Sequence, residues 1–415
     1  MPQHEKPSPK AADREVNARS LFADASWRSI GYGVSILAKF LLTPILARIL
    51  APEEFGVAAV GFSIVIFFFI VGYAGLPQAL IIAKHERPEM WRTAFWLNLG
   101  IGIALAAGAF FGAGELAAFV RVPEAEPLIM AFALLIPFQL IQSIGWARLT
   151  RDRRHSRLAT SDMSAEIAGA VCAVIAAIAG AGVWALVIQQ FISVFVRLPI
   201  VLWRTGVPML PAWAPRDLLP YARFSVTQLA TDVFIFLVNG LPLIIMGRNL
   251  PTAAIGYYDI SLRLSGMPRM ILSSSLAGAL LPAFVKIRDD KERMKRTTVK
   301  SIHMSNAVHA PVYFGLAAVA APAVSLLFGE EWLAAIPVMA IMSVSALIRS
   351  TVNGAGSYFQ SKGQAGVNLA FAIAYAAAAA GGAYAGAQTG SLINVVLGIL
   401  AGFAGVAVLM GTDIA

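Results

Sequence analysis

The chain alternates long apolar runs with short polar connections. Twelve runs are long enough to cross a bilayer as helices: 29–50, 55–76, 92–113, 126–147, 158–180, 182–203, 222–246, 255–283, 301–328, 332–357, 365–387 and 391–410. Each comes close to the ~20 residues that span the hydrocarbon core as a helix. The runs are continuous rather than alternating polar and apolar, so they predict transmembrane helices and exclude a transmembrane β-barrel. The expected fold is an all-α polytopic membrane protein.

One connection occurs twice. Arg48-Ile49-Leu50-Ala51-Pro52-Glu53-Glu54-Phe55-Gly56 returns 200 residues later as Arg248-Asn249-Leu250-Pro251-Thr252-Ala253-Ala254-Ile255-Gly256, with Arg, Leu and Gly at the same offsets. This predicts a duplicated bundle of six segments per half, the two halves entering the membrane in the same orientation and related by a pseudo-twofold axis along the membrane normal. The expected division is a cytoplasmic tail at 1–28, an N-terminal six-helix lobe at 29–203, a linker at 204–221, a C-terminal six-helix lobe at 222–410 and a short tail at 411–415. Pro208, Pro211, Pro215, Pro220 and Trp213 suit the linker to a position along the cytoplasmic interface.

Composition strengthens the membrane reading. Of 415 residues, 58% are hydrophobic and 13% charged, whereas a soluble domain carries roughly 25% charged residues. Residues 1–28 are polar and mixed in charge, so they do not read as a cleavable signal. The net charge of +9 is unevenly placed: 24 of the 32 Lys and Arg fall in the N-terminal tail and the even-numbered connections, counting Arg92 and Arg223 at the segment edges. The opposite side has only Arg48, Arg121 and Arg248. That asymmetry predicts cytoplasmic N- and C-termini. The basic residues sit in short connections with no aromatic platform, so no nucleic-acid partner is expected. The run from Lys286 to Arg293 reads as a solvated helical extension or a contact with lipid headgroups. Cys172, the single cysteine, can form no intramolecular disulfide.

Several motifs resemble the polysaccharide transporter family. Gly180-Ala181-Gly182-Val183-Trp184-Ala185-Leu186-Val187-Ile188-Gln189 is similar to its Gly-x-Gly-Val-Trp-Ala-Leu-Val-x-Gln signature. The turn at 48–56 resembles the family's first periplasmic turn, and Gly247-Arg248 with Gly256-Tyr257-Tyr258 resembles the matching turn of the second half. Phe328-Gly329-Glu330-Glu331-Trp332 is a further similar feature. The family belongs to the superfamily that also holds the lipid II flippase and the multidrug and toxin extrusion transporters. The resemblance implies two six-helix lobes around a central cavity open to one side at a time. It also implies that undecaprenyl-diphosphate-linked oligosaccharide repeat units are flipped across the bacterial inner membrane, for exopolysaccharide, capsule or O-antigen assembly. The implied partners are that lipid-linked oligosaccharide, membrane lipids, a polysaccharide polymerase and a chain-length regulator. Some members carry an acidic residue just before the second-half turn; Leu241-Pro242 stands there in this chain, so no role for such a carboxylate is carried over. Members with two further helices would extend beyond the point equivalent to Ala415.

Ionisable residues inside the apolar runs are the candidate site, because a charge near the bilayer centre costs at least about 2.5–3.5 kcal/mol and must face protein or water. Lys39 in segment 1 and Arg263 and Arg269 in segment 8 suit a diphosphate and are the expected substrate-binding residues of a cationic cavity. Two alternatives stand beside this: Asp259 and Arg263, at i and i+4, can neutralise each other, and Lys39 can snorkel. Asp232, Asp259 and Glu166 are candidates for ion coupling or for charge pairing. Arg197 and Arg349 read as snorkelling cations. At the repeat offset, Asp259, Arg263 and Arg269 correspond to Ala59, Ser63 and Phe69, so the differences between the copies point to the site. His303 and His309 are six residues apart and on different helix faces, so no metal site is expected. With no phosphate loop and no catalytic cluster, a transporter is expected rather than an enzyme, with no cofactor and with a proton or sodium gradient as a candidate driving force. The rival functions are a multidrug or cation antiporter of the same architecture, whose site would be dominated by carboxylates and aromatics, and a membrane glycan polymerase or ligase, which would need a large periplasmic loop.

Overall fold

Prolines and glycines set where the helices begin and break. The computed structural model describes residues 33, 37, 38, 40–83, 87–203, 213–286, 291–351 and 365–414, and the side chains of 270–291, 295, 365, 366, 368 and 411–414 are not described. Lys39, linker residues 204–212, the 287–290 part of the basic run and the end of the 332–357 segment therefore lie outside the described residues. Among the described residues every regular element is helical, with no strand. In chain order these are α1 (40–47), α2 (Pro52–Tyr73), α3 (Leu76–Ile82), α4 (Pro88–Phe111), α5 (Ala113–Val120), α6 (Glu126–Ala133), α7 (Ile136–Arg151), α8 (His155–Ile178), α9 (Trp184–Leu202), α10 (Ala222–Asn249), α11 (Thr252–Lys286), α12 (Lys291–Ala318), α13 (Ala320–Leu327), α14 (Ala335–Thr351), α15 (Ala365–Ala387) and α16 (Leu392–Ile414).

Helices α2 and α4 start on Pro52 and Pro88, whose missing N–H costs nothing in a first turn. The Glu54 carboxylate accepts the Ala51 N–H at 2.9 Å and so caps α2. Four of the expected segments are broken; one break falls at Gly112 between α4 and α5, and a proline follows each of the other three: Pro77 in α3, Pro137 in α7 and Pro322 in α13. Proline removes a helical hydrogen bond and its ring displaces the carbonyl four residues back, so the helix bends or restarts there. The bends are 46° between α6 and α7 and 60° between α12 and α13. Among the described residues, seven helical spans are long and apolar enough to cross a membrane, and nine if each bent pair counts as one.

The repeated turn marks where the two halves of the chain meet. Helix α2 crosses α11 at Gly56 and Gly256. A Cβ on Gly56 would lie 1.9 Å from the Thr252 carbonyl oxygen, and one on Gly256 would lie 2.0 Å from that of Pro52. The contact is reciprocal, and only glycine permits it from either side. Helices α15 and α16 approach in the same manner, a Cβ on Gly382 falling 2.3 Å from the Gly398 backbone.

At the same end of the bundle each half caps a helix of the other. Arg48 donates from Nε to the Leu327 carbonyl at 3.0 Å and from Nη2 to Leu326, closing the C-terminus of α13. Arg248 donates to the Phe119 carbonyl at 2.5 Å near the C-terminus of α5, with its guanidinium 5.0 Å from the Phe119 ring centre. Cations complement the negative end of a helix dipole, so both arginines sit where the charge is favoured. Trp332, fully buried, fills the seam between the halves. Its ring meets Phe55 at 5.3 Å and Tyr257 at 5.8 Å, and its Nε1–H donates to the Ala47 carbonyl at 2.7 Å.

Candidate substrate-binding site

A cavity of about 160 Å³ lies between α10, α11, α14 and α16, with Asn239, Ser265, Arg269, Ser345, Arg349 and Phe403 in its wall. Arg349 projects from the last turns of α14. Its Nη1 donates to Asn239 Oδ1 at 2.9 Å, and its guanidinium lies 5.3 Å from the centre of the Phe403 ring. Phe403 is itself buried and held edge-on by Tyr375 at 5.6 Å. This differs from the snorkelling expected of Arg349: an amide oxygen and an aromatic face, both partial negative charges, hold the cation inside the bundle. Arg269 lines the same cavity from α11. Two guanidiniums thus share a small space whose described wall contains no carboxylate. Such a space suits an anion with several oxygen acceptors, because guanidinium offers paired, planar donors.

The other candidates are elsewhere. Arg263 does not line this cavity; its Nε contacts Asp259 Oδ2 at 2.7 Å, one helical turn back on α11. The Asp259 side chain is 9% exposed and that of Arg263 46%, so the pair has one buried and one wet partner. Asp232 accepts a hydrogen bond from Gln228 at 2.9 Å within α10. Glu166 on α8 accepts from Arg197 on α9 at 3.1 Å, and Asp162 holds the same guanidinium at 3.1 Å. Arg197 therefore bridges two helices through carboxylates instead of snorkelling. The structure brings Arg269 together with Arg349, and leaves Arg263 and Glu166 in separate ion pairs. His309 is buried and bonded at 2.7 Å to the Ser305 carbonyl of its own helix, whereas His303 is exposed.

Two further cavities were not anticipated from the sequence. One, of about 570 Å³, is apolar and lies beside α11, with Phe40, Leu264, Val312, Leu316 and Phe328 in its wall. The other, of about 310 Å³, is polar and lies in the first half of the chain, where α3, α7, α8 and α9 meet. Gln139, Gln142, Ser143 and Trp146 all line it from α7. Their spacing of i, i+3, i+4 and i+7 marks one helix face, a polar stripe that the apolar count of segment 126–147 conceals.

Comparison with known proteins agrees with this architecture. A family model described as "Polysaccharide biosynthesis protein" matches residues 45–337. The succinoglycan biosynthesis transport protein ExoT of Rhizobium meliloti (strain 1021) is 34% identical over 364 residues, covering 86% of this chain and 72% of ExoT. The lipopolysaccharide biosynthesis protein WzxC of Escherichia coli (strain K12) is 24% identical over 363 residues, covering 84% of this chain and 71% of WzxC. Among solved structures, the lipid II flippase MurJ in an inward closed conformation shares the fold with a TM-score of 0.77 at 10% identity, over 93% of this chain and 87% of that one. On the extent of the family match and the identity to ExoT, the chain belongs to the polysaccharide biosynthesis protein family.

Proposed function

We propose that this protein flips undecaprenyl-diphosphate-linked oligosaccharide across the bacterial inner membrane by alternating access, for exopolysaccharide, capsule or O-antigen assembly. The observation that carries the reading is the cavity shared by Arg269 and Arg349 at membrane depth. A diphosphate carries several acceptor oxygens suited to two guanidiniums, and its passage across the hydrocarbon core is the step that most requires them. The apolar cavity beside α11 supplies a wall of aliphatic and aromatic side chains suited to the prenyl chain. The same cavity chemistry disfavours the cation antiporter, whose site would need carboxylates. The short connections between helices disfavour a polymerase or ligase. The protein acts as a transporter and forms no covalent intermediate.

In this reading residues 29–203 and 222–410 are two lobes, both termini are cytoplasmic, and the 48–56 and 248–256 turns lie at the periplasmic end. The reciprocal caps of Arg48 and Arg248, the Gly56–Gly256 crossing and Trp332 then close the periplasmic side while the headgroup loads from the cytoplasm. Release requires those contacts to part. Each charge-assisted hydrogen bond is worth about 1.5–3 kcal/mol, so a few of them form a closure strong enough to hold and weak enough to open. A proton or sodium gradient biases the cycle, and a polymerase and a chain-length regulator receive the product. Deletion of the gene tests the reading. Lipid-linked oligosaccharide should accumulate on the cytoplasmic face with glycosyl transfer intact; an unchanged leaflet distribution would overturn it.

A further inference from the structure

The polar cavity of the first half has a chemistry unlike that of the Arg269–Arg349 cavity. The one cation in its described wall, Arg197, is already held at 3.1 Å by both Asp162 and Glu166. With two carboxylates on its guanidinium, Arg197 is committed to ion pairs and is a poor anchor for a phosphate. What remains is uncharged: the amides of Gln78, Gln139 and Gln142, and the indole of Trp146. Gln139 Oε1 has only a long contact, 3.4 Å, with the Tyr73 hydroxyl. Gln78 Oε1 and Gln142 Nε2 are buried and have no hydrogen-bond partner among the described residues. One is an acceptor without a donor and the other a donor without an acceptor, and leaving such groups unmatched is costly.

We infer that this pocket is a sugar-binding subsite, in which Trp146 covers the apolar face of one sugar ring while Gln78 and Gln142 bond its hydroxyls. A hydroxyl both donates and accepts, so neighbouring hydroxyls of one ring can satisfy an amide oxygen and an amide nitrogen together. The indole supplies a flat apolar surface, and at 38% exposure it is open to a ligand. The volume of about 310 Å³ is at the lower end of the ~300–1,000 Å³ of small-molecule sites, which is room for a sugar ring and not for a whole repeat unit. On the proposed topology the pocket lies in the cytoplasmic half of the membrane, since α7 runs from it into the basic connection at Arg148–Arg154. Sugar and diphosphate would then be held in different halves of the chain, so both halves take part in holding one substrate.

This subsite rests on the flippase reading, and binding separates the two. The purified protein is titrated with undecaprenyl-diphosphate-linked oligosaccharide extracted from the deletion strain, and in parallel with undecaprenyl diphosphate. Wild type should prefer the glycosylated lipid. Trp146→Ala and Gln142→Leu should each weaken its binding by about tenfold, a loss not shared by undecaprenyl diphosphate, and Trp146→Phe should recover most of it. If folded variants keep the full preference, or if wild type shows none, the subsite is wrong and the flippase reading stands. If wild type binds neither lipid, both fail.

Discussion

Arg349 shows how a cation is held inside the bundle: Asn239 takes one of its N–H donors, Phe403 lies against its guanidinium, and the residue lines the cavity shared with Arg269. Arg349→Ala and Arg269→Ala should each cut polymer export by about tenfold or more at equal protein level, the loss expected when one charged partner of an anion is removed. Arg349→Lys should recover only part, because a lysine offers no planar fork. Arg263 should behave differently. Its loss leaves the carboxylate of Asp259 unpaired and mostly buried, which costs about 3–5 kcal/mol where burial is complete and less here, with Arg263 half in solvent. Asp259→Asn with Arg263→Gln should therefore be more stable than Arg263→Ala alone, as measured by thermal unfolding in detergent. The Asp259–Arg263 pair was legible as an i, i+4 spacing. The fate of Arg349 was not, because its partner Asn239 is 110 residues away and no local pattern reveals that contact.

At the scale of elements, the apolar runs showed where the helices are, while three of the breaks inside them precede Pro77, Pro137 and Pro322, which a count of apolar residues overlooks. The recurrence of glycine at 56 and 256 was visible; that each glycine faces the other half's backbone was not, since a repeat shows equivalence and not contact. Gly56→Val would place side-chain atoms where the Thr252 carbonyl now lies and should prevent the closed crossing of α2 and α11. In a Cys172→Ser background, a cysteine replacing buried Leu50 should react with an impermeant maleimide from the periplasmic side much faster once Gly56→Val is added; equal rates would mean the crossing is no seal. Trp332→Ala removes a fully buried ring together with its bond to Ala47, and should lower stability by about 3–5 kcal/mol.

For the whole molecule, the balance of Lys and Arg predicts which way the bundle sits. Some of those cations also have structural work: Arg151 donates to the carbonyls of Leu80, Ile81 and Ala83 at 2.7–2.9 Å and caps α3. Others, such as Arg153 and Arg154, sit in the short connection between α7 and α8. With Cys172 replaced by Ser, a cysteine at 153 should be labelled only from the cytoplasm and one at 121 only from the periplasm; the reverse would overturn the topology and with it the assignment of the closed end. The central claim is that two arginines inside the second half of the chain carry a lipid diphosphate between leaflets. Transfer of undecaprenyl-diphosphate-linked oligosaccharide between the leaflets of proteoliposomes tests it most directly. Vesicles with the wild-type chain should transfer the lipid well above the protein-free rate, and the Arg269→Ala, Arg349→Ala double variant should fall back to that rate. Transfer by the double variant at the wild-type rate, or none by the wild type, would contradict the account.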